Sequence, residues 1–490
     1  MNKLSKLLLL LCGFAFAGFS VASQPNIIFI MADDMGSGDV QALNANSTIP
    51  TPNLNRLANE GMTFTDAHSP SAVCTPTRYG VMTGRYCWRS SMVRGVLNGY
   101  GSPLIETDRE TVASALKKVG YATGVVGKWH LGLGFQKTDG EWDWSKTLDY
   151  SPNDVGFDHS FVIPASLDFP PYVYVEGHEI TGEPDRIQPK QSFPAYLREG
   201  ELGSDFSIVD CLDRLTEEAA DYIRKQAKRD DPFFLYFPLS APHKPAWPHP
   251  RFDGRSGLGP YGDFVIQADE TVGKILDTID EMGITDNTLV IYTSDNGSYM
   301  YRYADPAKVD HVKDTSVQGY YEGNHTANGP FRGTKADIWE AGHRVPFFVR
   351  WPGKVEAGSS TGRTITHTDF FATAVSVAGG EMPNAVEAAQ DSFDFSPLFL
   401  GNEKAFKRAP VINHSGGAMF AIREGDWKLV LGNGSGGREK PSGKRFDRPW
   451  QLFNLKEDIG ETTDRIREYS EVAQALEKKA LELMSNGRSR

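Results

Sequence analysis

The segment Cys74-Thr75-Pro76-Thr77-Arg78 places a thiol, a proline and a guanidinium at the spacing C-x-P-x-R. Thr75 is a good N-cap and Pro76 is favoured at the first helical position, so we expect residue 74 to lie at a helix N-terminus. Unpaired backbone N–H groups and the positive end of that helix would stabilise anionic oxygens. Arg78 would reach back toward the same point, where a planar guanidinium suits a tetrahedral oxyanion. The pattern predicts an anion-binding site around Cys74.

Oxygen-donor side chains stand in two pairs, each at the end of an apolar run. Asp33 and Asp34 close a run that begins at Asn26, and Asp295 and Asn296 close a run that begins at residue 288. Hard oxygen ligands of this type are the ones that Ca²⁺ prefers. Either pair alone has an ordinary alternative, which is to cap a helix that follows a strand. The two pairs together favour a metal site.

Two lysines and two histidines occupy comparable positions. Lys128 and His130 follow an apolar run over 122–127, His243 follows a run over 233–237, and Lys335 ends the segment 329–335. Histidine exchanges protons near neutral pH, and lysine offers a point charge to an oxyanion. Such residues are more often ordinary surface residues when they occur singly. Beside the other two patterns, they favour catalytic and substrate-binding roles.

The elements that must position these clusters are short runs of β-branched or aromatic residues, which is the pattern of an α/β sheet. Ligands bind just beyond the carboxyl ends of the strands in open α/β sheets, so we expect the clusters to converge on one site. A helix is predicted over 111–118, with Gly120 ending it from the left-handed region. The segment 131–231 is rich in Gly, Pro, Trp and acidic residues and predicts long insertions over a sheet edge.

The composition is that of a globular protein with one large and one smaller domain. The chain has 490 residues, of which 40% are hydrophobic, and a formal net charge of −12. This charge argues against a nucleic-acid partner, because such proteins usually present a clustered cationic face. We predict a catalytic domain over 24–384 and a C-terminal α+β subdomain over 385–490. In the latter, the runs 418–423 and 427–431 predict a hairpin, and 471–485 predicts a final helix.

Residues 1–23 have the features of a secretory signal peptide. Lys3 and Lys6 precede an apolar run over 7–19, and small residues precede a cleavage position after Ser23. The apolar run is shorter than the roughly 20 residues that a membrane span requires. We therefore expect a secreted or periplasmic protein without a membrane anchor.

The predicted mature chain keeps Cys74, Cys87 and Cys211, an odd number for an oxidising compartment. At least one thiol therefore has a separate fate, and Cys74 is the candidate. Whether Cys87 and Cys211 form a disulfide stays open.

The motifs resemble those of the formylglycine-dependent type I sulfatases, which belong to the alkaline phosphatase superfamily and include secreted bacterial arylsulfatases and polysaccharide sulfatases. The resemblance rests on C-x-P-x-R, on Gly-Lys-Trp-His-Leu-Gly at 127–132, and on the blocks around His243 and Lys335; it extends from about Pro25 to Pro352. It implies an α/β sandwich with a large mixed, mainly parallel central sheet flanked by helices. A small C-terminal α+β subdomain with an antiparallel sheet would complete the fold.

The resemblance also implies hydrolysis of O-sulfate monoesters, with release of inorganic sulfate. In the family, a formylglycine-generating enzyme oxidises the cysteine to formylglycine (3-oxoalanine), and the hydrated aldehyde attacks sulfur to form a covalent ester. Ca²⁺ is the implied cofactor. The implied metal ligands are Asp33, Asp34, residue 74, Asp295 and Asn296. The implied catalytic residues are Cys74, Arg78, Lys128, His130, His243 and Lys335.

The resemblance assigns separate tasks to these side chains. Lys128 would hold a sulfate oxygen, and His130 would remove the proton that lets the covalent ester collapse. His243 would protonate the leaving alcohol, in a region that it shares with Lys335.

A sulfated carbohydrate is the expected substrate, by family-level analogy, for example an algal galactan such as carrageenan or a glycosaminoglycan fragment. Candidate substrate-binding residues are Lys128, His243, Lys335, His325 and Arg344, with Lys244 and His178 as further candidates. Aromatic residues of the insertions would stack on sugar rings or simply pack in loops; they are Trp142, Trp144, Phe169, Tyr172, Tyr174 and Trp247. Two alternatives stay open: a phosphate or phosphonate monoester hydrolase of the same superfamily, and a non-catalytic carbohydrate-binding relative.

Overall fold

The computed structural model describes residues 24–490. The predicted signal peptide lies outside the described residues, so cleavage and secretion stay predictions. No helix within residues 24–490 is long and apolar enough to cross a lipid bilayer.

Strands and helices alternate through much of the described chain. The strands are β1 (Asn26–Asp33), β2 (Met62–Phe64), β3 (Ala67–His68), β4 (Ala122–Lys128), β5 (Lys137–Thr138), β6 (Glu141–Trp142), β7 (His159–Ile163), β8 (Val175–Glu176), β9 (Glu179–Ile180), β10 (Pro184–Gln188), β11 (Gly200–Gly203), β12 (Phe233–Pro242), β13 (Thr288–Ser294), β14 (Tyr301–Tyr303), β15 (Gly319–Tyr321), β16 (Phe347–Arg350), β17 (Ser359–Thr361), β18 (Ile365–Thr366), β19 (Val411–His414), β20 (Phe420–Glu424), β21 (Trp427–Val430) and β22 (Gln451–Asn454). The α-helices are α1 (Pro52–Glu60), α2 (Cys74–Thr83), α3 (Val112–Lys118), α4 (Cys211–Gln226), α5 (Gly259–Glu281), α6 (Glu340–His343), α7 (Phe370–Val377), α8 (Ser396–Phe399) and α9 (Ser470–Ser485).

The central sheet has ten strands in the order β17-β2-β16-β13-β1-β12-β4-β7-β8-β9. Its middle strands, from β13 to β7, are parallel to one another. Antiparallel pairing begins where β16 joins β13 and where β8 joins β7. The expected large mixed, mainly parallel sheet is therefore confirmed, and part of the insertion predicted over 131–231 extends its edge as β8 and β9.

Strand β1 is buried along its whole length because both faces of the sheet are covered. Ile28 and Ile30 pack in the core that contains residues of α4 and α5, whereas Ile27 and Phe29 pack in the core that contains residues of α2, α3 and α7. Alternate residues of a strand point to opposite faces, so a sheet covered on both sides needs an almost continuous apolar run. The runs that suggested strands are apolar throughout for this reason.

The region after residue 384 contains a separate antiparallel sheet in the order β19-β20-β21-β22, with α9 packed against it. The predicted hairpin corresponds to β20 and β21, and the predicted final helix to α9. The small antiparallel sheet is thus confirmed, while the boundary at residue 384 stays a prediction.

Buried charges connect this sheet to the larger part of the molecule. Lys428 on β21 has its Nζ 3.0 Å from Glu340 Oε1 on α6 and 2.8 Å from Glu461 Oε1. All three side chains are at most 1% exposed. A carboxylate this deep is costly unless a cation lies beside it.

Cys87 and Cys211 are both free thiols. Cys87 belongs to the core on one face of the central sheet, and Cys211 to the core on the other. Because the two thiols lie on opposite faces of the central sheet, they do not form a disulfide with each other.

Candidate active site

Cys74 is the first residue of α2, a helix whose residues are all buried. Val73 is the N-cap, with an extended backbone and no capping side chain. The expected N-cap at Thr75 is therefore wrong by two positions, and the Thr75 hydroxyl instead accepts a hydrogen bond from the backbone N–H of Leu97 at 3.2 Å. The broader expectation holds, because residue 74 lies at a helix N-terminus, where backbone N–H groups lack helical partners.

The carboxyl ends of β1 and β13 bring the oxygen donors together. Asn296 Nδ2 donates to Asp34 Oδ1 at 2.6 Å, and the backbone N–H of Asp34 donates to Asp295 Oδ1 at 3.2 Å. Asp33 Oδ1 lies 3.7 Å from Cys74 Sγ. Asp34 has a φ of 66°, a left-handed conformation that non-glycine residues adopt at a cost and that often marks functional sites.

Arg78 and Lys128 supply positive charge behind these carboxylates. Arg78 donates to Asp295 Oδ2 from Nε at 3.1 Å and from Nη2 at 2.7 Å. Its Nη1 donates to the backbone carbonyl of Lys128 at 2.8 Å, and Lys128 Nζ donates to Asp33 Oδ2 at 2.6 Å. Both cations are fully buried. Each is paired with a carboxylate of the oxygen-donor cluster.

Lys335 reaches the site from the loop before α6. Its Nζ lies 2.7 Å from Asp34 Oδ1 and 3.4 Å from Cys74 Sγ. Burial lowers and Asp34 raises the pKa of Lys335, and the net shift is upward. Lys335 is therefore a fixed cation within reach of anything bound at residue 74.

Burial raises the pKa of the Cys74 thiol to about 12, and Asp295 adds to the effect while Lys128 opposes it. Burial likewise raises the pKa of Asp33 to about 7, against the charge of Lys128 and with the help of Asp295. Burial also opposes ionisation of Asp295, but Arg78, Lys128 and Lys335 together outweigh it and hold the pKa of Asp295 well below its usual range. The unmodified thiol is thus protonated at neutral pH, whereas cysteines that act as nucleophiles have lowered pKa values.

His130 follows β4 and presents an unprotonated nitrogen. Its Nε2 donates to the backbone carbonyl of Leu97 at 2.8 Å, and since a carbonyl only accepts, Nε2 carries the proton. Nδ1 is buried without a hydrogen-bond partner among residues 24–490. Burial, Lys128 and Arg78 lower the pKa of His130 well below its usual value, so the ring is neutral at pH 7.

His243 follows β12 and approaches from another side. Its Nδ1 donates to the backbone carbonyl of Lys244 at 2.6 Å, which leaves Nε2 at 3.5 Å from Asp34 Oδ2. Burial and the nearby charges of Lys335 and Lys128 lower the pKa of His243. Its imidazolium would need an added negative charge nearby.

The oxygen-donor set fits a hard divalent cation. Both N–H groups of the Asn296 amide donate, at 2.6 Å to Asp34 and at 2.9 Å to the carbonyl of Gly297, yet its Oδ1 has no hydrogen-bond partner in the described chain. Ligand atoms of Asp33, Asp34, Cys74 and His243 lie within 4.8 Å of one another. An unpaired buried amide oxygen beside several carboxylates matches the chemistry of Ca²⁺ ligands.

A cavity of about 450 Å³ opens above Cys74. His130, His243 and Lys335 line it, as predicted, and so do Phe169 and Lys244. Other lining residues carry no sequence motif and were not predicted: Ser166, Asp168, Arg198, Tyr299 and Arg438. Gly416, Gly417, Gly436 and Gly437 of the C-terminal region form part of the wall.

Three predicted substrate-binding residues, Lys128, His325 and Arg344, do not line this cavity. Lys128 is fully buried, and its Nζ pairs with Asp33. The buried His325 has its Nε2 2.8 Å from Asp39 Oδ1. Arg344 donates to the backbone carbonyl of Thr65 and pairs with Glu340, and it lines a different cavity. His325 and Arg344 each have partners away from the cavity, so the structure does not place them at residue 74, and their assignment to substrate stays a prediction.

The remaining candidates from the insertions also lie away from the cavity. His178 pairs with Asp154, and Trp142 and Trp144 form an aromatic cluster with Phe135. Tyr172, Tyr174 and Trp247 pack in or against the core. Among the six aromatic candidates, only Phe169 lines the cavity in the described chain.

The model of the sulfatase family matches residues 25–380. The chain belongs to the sulfatase family. The resemblance that C-x-P-x-R suggested is thereby confirmed, and the enzyme is a sulfuric ester hydrolase.

The sequence similarity to known sulfatases extends over most of this chain. It is 34% identical over 489 residues to the N-acetylgalactosamine-6-O-sulfatase of Bacteroides thetaiotaomicron, with 93% of this chain and 92% of that protein covered. It is 32% identical over 434 residues to the steryl-sulfatase of Rattus norvegicus, with 77% and 70% covered. A solved 6S-sulfatase from glycosaminoglycan metabolism of Bacteroides thetaiotaomicron has a TM-score of 0.82 and 32% identity, over 95% of this chain and 100% of that one.

Proposed function

We propose that this sulfatase removes sulfate from O-sulfated carbohydrates, using Ca²⁺ and a formylglycine made from Cys74. The observation that carries the proposal is the convergence of Cys74, Lys335, His130 and His243 on one cavity, directly beside a cluster of oxygen donors. Cations and helix N–H groups are what a tetrahedral sulfate needs, and carboxylates with an amide oxygen are what Ca²⁺ needs.

The pKa of Cys74 supports modification of this residue. A thiol whose pKa is raised to about 12 is a weak nucleophile at neutral pH. Formylglycine at this position would supply a hydrated aldehyde as the nucleophile. The C-x-P-x-R segment fits maturation by a formylglycine-generating enzyme as a partner.

Asp33, Asp34, Asp295 and Asn296 would hold the calcium ion. Bound there, Ca²⁺ would supply a positive charge for electron-rich oxygens of the substrate and the nucleophile. Arg78 would keep Asp295 ionised and oriented through its two hydrogen bonds. Lys128 would orient Asp33 through one hydrogen bond and favour its ionised form against the effect of burial. Lys335 would bind a sulfate oxygen above Cys74.

His130 suits the task of a general base. Its Nε2 proton is committed to Leu97, so the free lone pair is on Nδ1, which has no other partner among the described residues. A neutral ring at pH 7 can accept a proton from the hydroxyl at residue 74. Leu97 fixes the tautomer and the ring orientation.

His243 suits proton donation to the leaving alcohol through Nε2, because Nδ1 is committed to Lys244. Proton donation requires the imidazolium, which Lys335 and Lys128 disfavour in this arrangement. A sulfate ester bound between these groups adds a negative charge and would raise the pKa of His243. Substrate binding would therefore prepare the acid.

A carbohydrate substrate is proposed from the relatives and the cavity together. The bacterial relatives are named for N-acetylgalactosamine 6-sulfate and for glycosaminoglycan metabolism, whereas the rat relative is named for steryl sulfate. Family membership alone leaves these choices open. Three charged side chains of the cavity wall, Asp168, Arg198 and Lys244, favour a hydroxylated and charged substrate over a sterol.

The test is a panel of defined sulfated saccharides, from glycosaminoglycan and carrageenan fragments, assayed for free inorganic sulfate with matched aryl sulfate and aryl phosphate. We expect sulfate release from at least one saccharide, loss of activity on calcium chelation, and aryl phosphate turnover far below aryl sulfate turnover. Preference for the phosphate would favour the phosphate-monoesterase alternative.

Mass spectrometry of the peptide that contains residue 74 tests the proposed nucleophile. In active protein we expect the mass decrease that accompanies conversion of a thiol to an aldehyde, and no activity in Cys74→Ala. Full activity with an unmodified thiol would refute the formylglycine assignment.

A further inference from the structure

Three buried side chains of the cavity wall each keep one polar atom without a hydrogen-bond partner in the chain from residue 24 onward. The atoms are Ser166 Oγ, Asp168 Oδ1 and Tyr299 Oη. The three residues line the same cavity as Cys74 and are only 1–3% exposed. An unpaired buried polar group costs about 1–3 kcal/mol, so native proteins rarely leave several at one place. Their concentration beside the nucleophile points to a ligand that pairs with them.

Asp168 is held rigidly with one oxygen free. Its Oδ2 accepts a hydrogen bond from Arg198 Nη1, which also donates to the Asp168 backbone carbonyl at 3.0 Å. The Arg198 guanidinium in turn lies 3.8 Å from the centroid of the Phe169 ring. The pair with Arg198 fixes the plane of the carboxylate, so Oδ1 is available as a preorganised acceptor.

His243 does not satisfy this oxygen. Its Nδ1 lies 3.8 Å from Asp168 Oδ1, beyond hydrogen-bond distance, and the Nδ1 proton is directed to the carbonyl of Lys244 at 2.6 Å. An ionised carboxylate oxygen only accepts, so its missing partner must be an O–H or N–H group.

Tyr299 faces the same space from the segment that follows β13. Its ring packs edge-on against Tyr261, with the centroids 5.4 Å apart, and against His243 at 6.5 Å. These contacts fix the ring while its hydroxyl stays unpaired in the described structure. Ser166 and Asp168 belong to the loop after β7, so the unpaired groups come from two separate parts of the chain.

We propose that Ser166, Asp168 and Tyr299 bind hydroxyl groups of the sugar that carries the scissile sulfate. This inference rests on the proposed function and specifies it: the substrate unit is a polyol, and at least one of its hydroxyls donates to Asp168 Oδ1. A sterol or a simple aryl sulfate has no such donors near its ester and leaves all three atoms unpaired. A site built around hydrogen bonds rejects analogues that lack the partner group.

Conservative variants test the assignment without removing a proposed catalytic group. In Asp168→Asn, Arg198 retains the amide oxygen and the atom facing the cavity becomes a donor. We expect kcat/KM for the best sulfated saccharide to fall by about 30-fold or more in Asp168→Asn and about 10-fold in Tyr299→Phe and Ser166→Ala. Activity on 4-nitrophenyl sulfate should change by less than about 3-fold. Asp154→Asn, whose carboxylate pairs with His178 away from the cavity, is the matched control and should leave both substrates unaffected.

A second experiment uses the unmutated enzyme, so its result does not depend on whether a variant folds correctly. The substrates are deoxy analogues of the same sulfated sugar, each lacking one hydroxyl. For one of them, we expect kcat/KM of the unmutated enzyme to fall by as much as the Asp168→Asn substitution lowers kcat/KM for the complete sugar. The variant should lose little more on that analogue, because the interaction is already absent.

The two proposals fail in different ways. Equal losses on sugar and aryl sulfates, or no loss on either, would overturn the recognition role of these residues while sulfated sugars remain substrates. If the unmutated enzyme cleaves aryl sulfates but none of the sulfated saccharides, the proposed carbohydrate function itself is wrong, and this inference falls with it.

Discussion

Asp295 combines two roles in one side chain, since Oδ2 accepts both hydrogen bonds from Arg78 and Oδ1 accepts from the backbone of Asp34. In the proposed site it would also bind Ca²⁺. Removing its charge should therefore affect the ion and the buried arginine together.

For Asp295→Asn we expect a loss of calcium binding and an activity at least about 100-fold lower, because Ca²⁺ sites depend on anionic oxygens. The folded state should lose about 3 kcal/mol, since Arg78 keeps its buried charge without its partner. Thermal unfolding with and without calcium measures the loss of stability and of calcium binding, and sulfate release measures the loss of activity.

Asp213→Asn, which loses an exposed pair with Arg251, is the control, and it should lower the stability by less than about 1 kcal/mol. A variant that Ca²⁺ still stabilises as much as the parent would contradict the assignment.

His243→Gln should discriminate among leaving groups. If His243 protonates the departing alcohol, the variant loses at least about 100-fold on a sugar sulfate and much less on 4-nitrophenyl sulfate, whose phenolate needs no proton. His130→Gln should lose similar factors on both substrates, because its proposed proton transfer involves residue 74. Steady-state kinetics on the two substrates decide the point, and equal losses for His243→Gln would refute its role as the acid.

At the scale of elements, the predictable parts are the runs that bury both faces of the sheet. The strands β1, β4, β12 and β13 lie where apolar runs predicted them, and their polar ends converge because parallel neighbours end at the same edge. Asp33, Lys128 and His243 could be found for that reason, together with their resemblance to family motifs.

The unpredicted parts depend on tertiary contacts that leave no local pattern. Ser166 and Asp168 follow β7 within a loose insertion, and nothing in their spacing distinguishes them from other loop residues. His325 looked available for substrate, but its partner Asp39 is remote in sequence. Thr75 is not the N-cap because the helix already begins at Cys74, and its hydroxyl accepts a hydrogen bond from Leu97, which the fold brings close.

Gly127 tests how strongly one element depends on close backbone approach. It lies near the end of β4 with a φ of 129°, and a Cβ there would lie 1.9 Å from the carbonyl oxygen of Pro238 on β12. We expect Gly127→Ala to destabilise the fold by about 3 kcal/mol or more and to reduce activity by displacing Lys128.

Gly120→Ala is the matched control. Gly120 also has a positive φ, 94°, but a Cβ added there would have no atom within 4 Å. The substitution should cost only the conformational strain, about 1 kcal/mol. Urea unfolding of both variants makes the comparison, and equal costs would refute the steric explanation.

At the scale of the whole molecule, buried neutral histidines should make stability depend on pH. Burial lowers the pKa of His414 on β19 to about 4. In the unfolded chain its pKa is about 6.5, so the contribution to stability is fully present above pH 6.5 and is lost as the pH falls toward 4. The loss amounts to at most about 3 kcal/mol.

We expect His414→Gln to weaken the dependence of unfolding free energy on pH between 6.5 and 4.5. Urea unfolding at a series of pH values measures this slope. His249→Gln serves as the comparison, because it also removes a histidine but the His249 side chain is one-third exposed. Identical slopes in the parent and His414→Gln would show that His414 does not contribute.

The buried ion group of Lys428, Glu340 and Glu461 bears on whether this sulfatase can exchange parts with its relatives. A chain that ended at residue 384 would retain every side chain proposed here for catalysis and calcium binding. It would nevertheless leave Glu340 without Lys428 and would remove Gly436 and Arg438 from the cavity wall. The last hundred or so residues are therefore not an exchangeable module: a C-terminal region transplanted from a relative would have to match a buried charge and the shape of a substrate pocket at the same time.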